Sequence, residues 1–258
     1  MNVMMIGDVV SACGRKFLAR HLRTMKKLHQ IDICVVNGEN SANGNGITPE
    51  SARELFDAGA DVITTGNHVY RRAEAYDYLD EEPFVLRPAN YPAEDPGKGY
   101  CIVDRGRFRA AVVNLSGTYY MENIENPFKK ADQILDSLKE ERVCVVIVDF
   151  HAEATSEKKA MGFYLDGRAS VVAGTHTHVQ TSDAAVLTGG TGYITDLGMT
   201  GNYDSVLGVD KKVIIKKFLD CMPARFDTPD GPASMEGCVF EIDEKTGKCV
   251  SAESFRIQ

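Results

Sequence analysis

Short apolar runs recur along the chain, and most of them stop at an acid, amide or histidine that opens a loop. Residues 3–7 form the first run and read as a buried strand. Phe17, Leu18, Leu22, Met25 and Leu28 then recur at helical spacing, which predicts a helix over residues 15–28. Residues 31–36 predict a second buried strand. Thr48-Pro49-Glu50-Ser51 carries a capping residue followed by proline in the first turn, so a second helix starts there, with Leu55 and Phe56 on its apolar face. Residues 61–65 predict a third strand. Strand, helix, strand, helix and strand in that order imply parallel strands joined by right-handed crossovers, which brings the carboxyl ends of all three strands to one edge. Asp8, the pair Glu39-Asn40 and the pair Asn67-His68 follow those ends.

The pattern changes in the middle of the chain. Residues 100–103 and 108–115 flank Asp104-Arg105-Gly106-Arg107, an antiparallel hairpin with a glycine turn, and a second sheet is expected to begin there. A helix over residues 126–140, with Pro127 near its start, leads to an apolar strand at 143–148 followed by Asp149-Phe150-His151. A further strand at 170–173 ends in Gly174-Thr175-His176-Thr177-His178. Residues 237–257 predict a last hairpin, turning at Glu244-Lys245-Thr246-Gly247. The glycine-rich stretch 188–201 reads either as part of a substrate rim or as a turn between strands. No internal repeat, low-complexity run or linker divides the chain, and a single domain over residues 1–258 is expected.

Composition narrows the function. A hydrophobic content of 43% suits a soluble globular protein, and no stretch reaches the about 18 to 20 unbroken apolar residues of a membrane span. The first strand-like run begins without a charged leader, so a cytoplasmic protein without a membrane partner is expected. A net charge of −8 disfavours stable nucleic-acid binding, which draws on clustered Lys and Arg, and leaves a small anionic substrate open. The seven cysteines include no Cys-x-x-Cys pair, so most are expected to be small buried hydrophobes in a reducing compartment. A homo-oligomer is compatible with all of this.

The chemistry lies where the apolar runs end. His176 and His178, two apart at the end of an extended run, are expected to face the same way. With His151 they supply imidazoles; Asp8 and Glu39 supply carboxylates, and Asn40 and Asn67 supply neutral oxygens. Such a mixed set suits iron, manganese or zinc better than calcium. It is too large for one tetrahedral ion and suits two metals sharing a carboxylate, with positions left for water and substrate. Paired metals lower the pKa of a bridging water and stabilise both the attacking and leaving oxygens of an in-line displacement, so phosphoester hydrolysis by a metal-bridging hydroxide is expected. His68 stands beside Asn67 but is not expected to share its ion; a proton donor to the leaving alkoxide is the expected role. His21 and His29, in or beside the first helix, have no such partners. Glu153 is placed to orient a ligand histidine or to lie solvated in a loop, and Asp80-Glu81-Glu82 reads as solvated charge near a helix end.

Gly7-Asp8-Val9-Val10 with Gly14-Arg15, Asn37-Gly38-Glu39-Asn40, Thr65-Gly66-Asn67-His68, the stretch Asp149-Phe150-His151-Ala152-Glu153-Ala154-Thr155, and the stretch Gly174-Thr175-His176-Thr177-His178-Val179-Gln180-Thr181 stand in one order across most of the chain. In that order they resemble the calcineurin-like metallophosphoesterase superfamily, and within it the YmdB-type bacterial 2′,3′-cyclic-nucleotide 2′-phosphodiesterases. The resemblance implies an α/β fold, a four-layer sandwich of two mixed β-sheets flanked by helices. It implies that Asp8, Glu39, Asn40 and His178 hold one metal and that Glu39, Asn67, His151 and His176 hold the other, with Glu39 as the bridge. His68 is implied as proton donor, iron or manganese as the metals ahead of zinc or magnesium, and small cyclic nucleotides, 2′,3′-cyclic and in some members 3′,5′-cyclic, as substrates. Two positions depart from the pattern. Ser11 stands where the family loop commonly has glycine, and Thr118 stands where it often has arginine, which predicts an altered turn and an altered affinity for phosphate. A phosphomonoesterase or 5′-nucleotidase is the alternative within the same chemistry, and a non-catalytic nucleotide-sensing module is the alternative outside it.

Overall fold

The computed structural model describes residues 1–141 and 143–258. The opening strands are β1 (Asn2–Ile6), the two-residue β2 (Asp8–Val9), β3 (Ile33–Asn37), β4 (Val62–Thr64) and β5 (Val85–Leu86); helices α1 (Ser11–Leu28), α2 (Pro49–Ala58) and α3 (Tyr76–Glu81) lie among them. β1, β3, β4 and β5 run parallel to one another in that order, as the crossover pattern requires. α2 starts as its sequence dictates: Thr48 Oγ1 accepts from Ser51 N at 3.2 Å while Ser51 Oγ accepts from Thr48 N at 3.0 Å, so two backbone donors without helical partners are satisfied.

The middle of the chain builds the second sheet. β6 (Tyr100–Asp104) and β7 (Arg109–Ser116) form the antiparallel hairpin. Asn126 caps α4 (Pro127–Glu140) through hydrogen bonds from Phe128 N and Lys129 N, and α4 leads to β8 (Val145–His151), α5 (Thr155–Tyr164) and β9 (Val171–Thr175). β10 (Ala185–Val186) and β11 (Gly192–Ile194) complete it in the order β10-β11-β9-β8-β7-β6. The chain then returns to the first sheet with β12 (Met199–Asn202), α6 (Lys211–Asp220), β13 (Ala233–Ile242) and β14 (Cys249–Ile257), giving the order β2-β12-β13-β1-β3-β4-β5 with β14 beside β13.

Two expectations are corrected here. The stretch 188–201 is more than a turn: residues 188–190 do turn between β10 and β11, but the rest carries β11 and most of β12, both wholly buried. The last hairpin is longer than its sequence signal, and its first strand, β13, is driven between β12 and β1.

Alternation along the strands explains the layering. In β1, Val3 and Met5 face the second sheet and pack with Val112, Ile147, Val171 and Phe240, whereas Met4 and Ile6 face α1 and α2 and pack with Leu18, Leu22 and Leu55. On the far side, Val146, Val148 and Phe150 of β8 lie under Ile134, Leu135 and Leu138 of α4 and Met161 of α5. The result is helix, sheet, sheet, helix: an α/β sandwich of two mixed sheets. Each aliphatic side chain buried in the middle layer contributes about 1.5–3 kcal/mol, so the sheet-to-sheet contact, not any loop, sets the alignment of the two halves. Five of the seven cysteines are buried as small apolar groups; Cys144 and Cys221 are exposed. No helix among the described residues is long and apolar enough to cross a membrane.

Candidate metal centre

The residues singled out in the sequence meet, but they come from two sheets and not from one edge. The first sheet presents Asp8 at β2, Glu39 and Asn40 after β3, and Asn67 with His68 after β4; the second presents His151 at the end of β8 and His176 and His178 after β9. Gly66 allows the meeting. A β-carbon there would lie 1.8 Å from Glu39 Oε2 and 2.3 Å from His151 Nε2, so any side chain would push the sheets apart. The two histidines after β9 do not reach the site on extended backbone. His176 and His178 have φ of 100° and 62°, left-handed conformations that cost about 1–2 kcal/mol each outside glycine and must be held by their surroundings.

Hydrogen bonds on the outer side of each ring fix which nitrogen faces inward. Thr175 Oγ1 gives its only hydrogen to Asp149 Oδ1 at 2.7 Å and so accepts from His151 Nδ1 at 2.9 Å. His178 Nδ1 donates to the Leu207 carbonyl at 3.0 Å, and His176 Nε2 faces the Glu153 carboxylate at 3.0 Å. Each ring is thereby left with one inward nitrogen: Nε2 of His151, Nε2 of His178 and Nδ1 of His176. His151 Nε2 lies 2.8 Å from Glu39 Oε2, 3.2 Å from Asn67 Oδ1 and 3.0 Å from His176 Nδ1, a convergence of acceptors on acceptors. Glu39 Oε2 is fully buried and makes no hydrogen bond of acceptable geometry despite that 2.8 Å approach. On the other side, His178 Nε2 is 3.6 Å from Asp8 Oδ1, and Asp8 Oδ2 accepts from His176 N at 3.0 Å.

Electrostatics give the same reading. Burial pushes the Asp8 carboxyl up, but His178 and His151 outweigh it and hold it well below the usual carboxylate range. Glu39 is likewise lowered, burial being overcome by His151 and His68. Burial works against a charge on His151, yet Glu39 and Asp8 push it up to about 9, whereas burial and the neighbouring His151 bring His176 down to about 3. This pocket demands positive charge, which a proton or a metal cation supplies. Among the described residues no three His, Cys, Asp or Glu side chains form a ready cage for an ion; the donors touch one another instead, and the two asparagines complete the set.

Asn40 departs from the expected role in one respect. Its Oδ1 accepts from His68 Nδ1 at 3.0 Å while its amide nitrogen faces His178 Nε2 and Asp8 Oδ1 at 3.1 and 3.5 Å, so binding a cation through oxygen requires the amide to turn over and release His68. His68 lies in a turn, not on extended backbone; its amide donates to Glu39 Oε1 at 2.6 Å and its side chain remains 30% exposed, open to a substrate. Asp149 and Thr175 carry no role in the sequence pattern, although Asp149 stands two residues before the candidate ligand His151. Buried Asp149 takes hydrogen bonds from Thr64, Thr175 and Asn37, and burial raises its carboxyl to about 6. Thr118 is tied through its N and Oγ1 to Glu157 of α5, which anchors the loop after β7.

Two facing sheets under helices, with acids, amides and imidazoles at their shared end, form a fold that is shared by a 5′-nucleotidase precursor structure from Thermus thermophilus, with a TM-score of 0.61 at 13% identity, covering 100% of this chain and 54% of that one. The chain belongs to the family described as YmdB-like protein, whose model matches residues 4–255. A Bacillus subtilis relative, a 2′,3′-cyclic-nucleotide 2′-phosphodiesterase, is 44% identical over all of this chain and 97% of its own length. A solved structure described as a novel phosphatase from Mycoplasma pneumoniae matches with a TM-score of 0.94 at 30% identity, covering 100% of this chain and 93% of that one.

Proposed function

We propose that this chain is a phosphodiesterase that hydrolyses small cyclic nucleotides, 2′,3′-cyclic first and 3′,5′-cyclic second, at a centre of two metal ions, iron or manganese. The observation that carries the reading is the cluster of inward-facing lone pairs around Glu39 Oε2 and His151 Nε2, the histidine fixed by the Thr175 hydroxyl that accepts from its Nδ1 and the glutamate by the His68 amide that donates to its Oε1. Asp8, Glu39, Asn40 and His178 would hold one ion and Glu39, Asn67, His151 and His176 the other. When bound, two divalent cations supply a water of lowered pKa and a positive field for the phosphoryl oxygens that Asp8 and Glu39 only partly neutralise.

The remaining work falls to the chain itself. His68 faces Asn40 through Nδ1, a contact given up when Asn40 turns its oxygen to an ion, and Nε2 is the atom it turns towards substrate and the one that hands a proton to the departing ribose oxygen. Burial lowers its pKa, which makes the protonated ring a readier donor. Asp149, through Thr175, and Glu153 keep His151 and His176 in the tautomers that face inward.

The test compares turnover of 2′,3′-cyclic AMP, bis-p-nitrophenyl phosphate and p-nitrophenyl phosphate by metal-stripped protein reloaded with manganese or iron(II). Preference for the two diesters, abolished by chelator, is expected. Preference for the monoester would replace this reading by a phosphomonoesterase, and tight nucleotide binding without product by a sensor.

A further inference from the structure

A buried ion pair lies behind the His176-Thr177-His178 turn. Lys158 of α5 and Asp196 are 0% and 1% exposed, and Lys158 Nζ lies 2.6 Å from Asp196 Oδ2. Charges so enclosed cost several kcal/mol to desolvate, and such pairs add little net stability, so a structural role alone explains this one poorly. The Asp196 carboxylate does more than neutralise the lysine. Its Oδ2 also accepts from Thr177 N at 3.1 Å and Thr177 Oγ1 at 2.7 Å, and its Oδ1 accepts from Gly198 N at 2.9 Å.

Those partners lead to opposite sides of the site. Gly198 O accepts from Asp8 N at 3.1 Å, and Leu197 N donates to Gly174 O at 2.8 Å. One carboxylate therefore holds the turn that presents two histidines from the second sheet and, one residue removed through Gly198, the backbone of Asp8 in the first. The approach is close enough that a β-carbon on Gly174 would lie 1.9 Å from Thr195 O and 3.0 Å from Lys158 Cδ. Thr177 stands between two residues in left-handed conformation, and its two bonds to Asp196 are what oppose relaxation of that backbone.

We infer that Lys158 and Asp196 are positioning residues: the pair sets the two sheets in register at the metal centre and aims His176 and His178 at Asp8 and Glu39. Lys158 Nζ sets its charge against Asp196 Oδ2, and the two oxygens of the carboxylate accept from Thr177 and Gly198 together. An amide at 196 has one accepting oxygen, so either Thr177 or Gly198 loses its partner.

This inference rests on the two-metal reading, and its test separates the two. Cobalt(II) is titrated into metal-free protein, with affinity and the visible absorption of the bound ion as readouts, and thermal unfolding of the metal-free protein is followed in parallel. If wild-type protein binds no cobalt, the two-metal reading fails. With wild-type binding in place, the double variant Lys158→Met/Asp196→Asn, which removes both buried charges, is expected to bind cobalt about 10- to 100-fold more weakly with an altered spectrum. Thr177→Val, which removes a single hydroxyl and serves if the double variant does not fold, is expected to weaken binding less but measurably, while unfolding near the wild-type temperature. Wild-type affinity and spectrum in the double variant, or in Thr177→Val if the double variant does not fold, would overturn the inference.

Discussion

The two sheets bring different chemistry to the same place. The first supplies both carboxylates and both amides, on residues 8, 39, 40 and 67, whose backbones lie in ordinary conformations; the second supplies three imidazoles, two of them in left-handed backbone and all three held from behind by Asp149 through Thr175, Glu153 or the Leu207 carbonyl. The first side carries the charge, and the second carries the directional lone pairs. Neither half alone brings acids and imidazoles together, so the cluster exists only where the middle layer of Val, Ile and Phe side chains presses the sheets together.

The sharpest way to test this contrast is to remove charge from the first side. Glu39→Gln keeps the shape but loses the carboxylate proposed to be shared between two ions, and is expected to carry little metal and to lower hydrolysis of 2′,3′-cyclic AMP to background; metal content per chain, measured by elemental analysis, reports it directly. Next comes His68→Ala. It removes a group from the same side that is not assigned to a metal, so metal content should stay at the wild-type value while turnover of a substrate with a poor alkoxide leaving group falls about 10²- to 10⁴-fold.

Smaller effects probe the bracing on each side. Asp183, beside the second sheet, accepts from Thr195 N and Oγ1 and from Thr181 Oγ1 and pairs with Lys159; burial raises its pKa, but these partners outweigh it and hold the carboxyl below its usual range. A lowered folded-state pKa contributes stability above the ordinary value of about 3.9 and loses it as pH falls towards the folded value. Asp183→Asn is therefore expected to cost about 1 kcal/mol at pH 7, after allowance for partial exposure, with the gap to wild type narrowing below about pH 4 in urea unfolding. The smallest effect belongs to the first side. Ser11, at φ 58°, occupies the left-handed conformation that a glycine takes freely, so Ser11→Gly should raise stability by about 1 kcal/mol or less, read as an upward shift in thermal midpoint.

Sequence reading found the seven ligand candidates because each ends an apolar run, and the position of a strand end is visible in hydropathy. It found the capped start of α2 through Thr48-Pro49 and the start of α4 through Pro127, signals equally local, while the cap at Asn126 shows only in the structure. The braces were hidden. Asp149 takes hydrogen bonds from Asn37 and Thr64 of the other sheet, and no spacing along the chain announces those meetings or that a lysine on one helix meets an aspartate after β11. β11 and β12 were also missed, since Gly192, Gly198 and Gly201 read as turn residues until the close packing around them is known. The departure at Ser11 was visible as a residue type, but its left-handed backbone was not.

β13 lies between β1 and β12, with the amide of Gly7 donating to Glu236 O beside Asp8. The backbone beside Asp8 is thus closed by a strand more than 200 residues further along the chain. Contacts between positions so far apart carry a loop-closure cost before they return any stability, so this edge of β1 is expected to be among the slower parts of the first sheet to form.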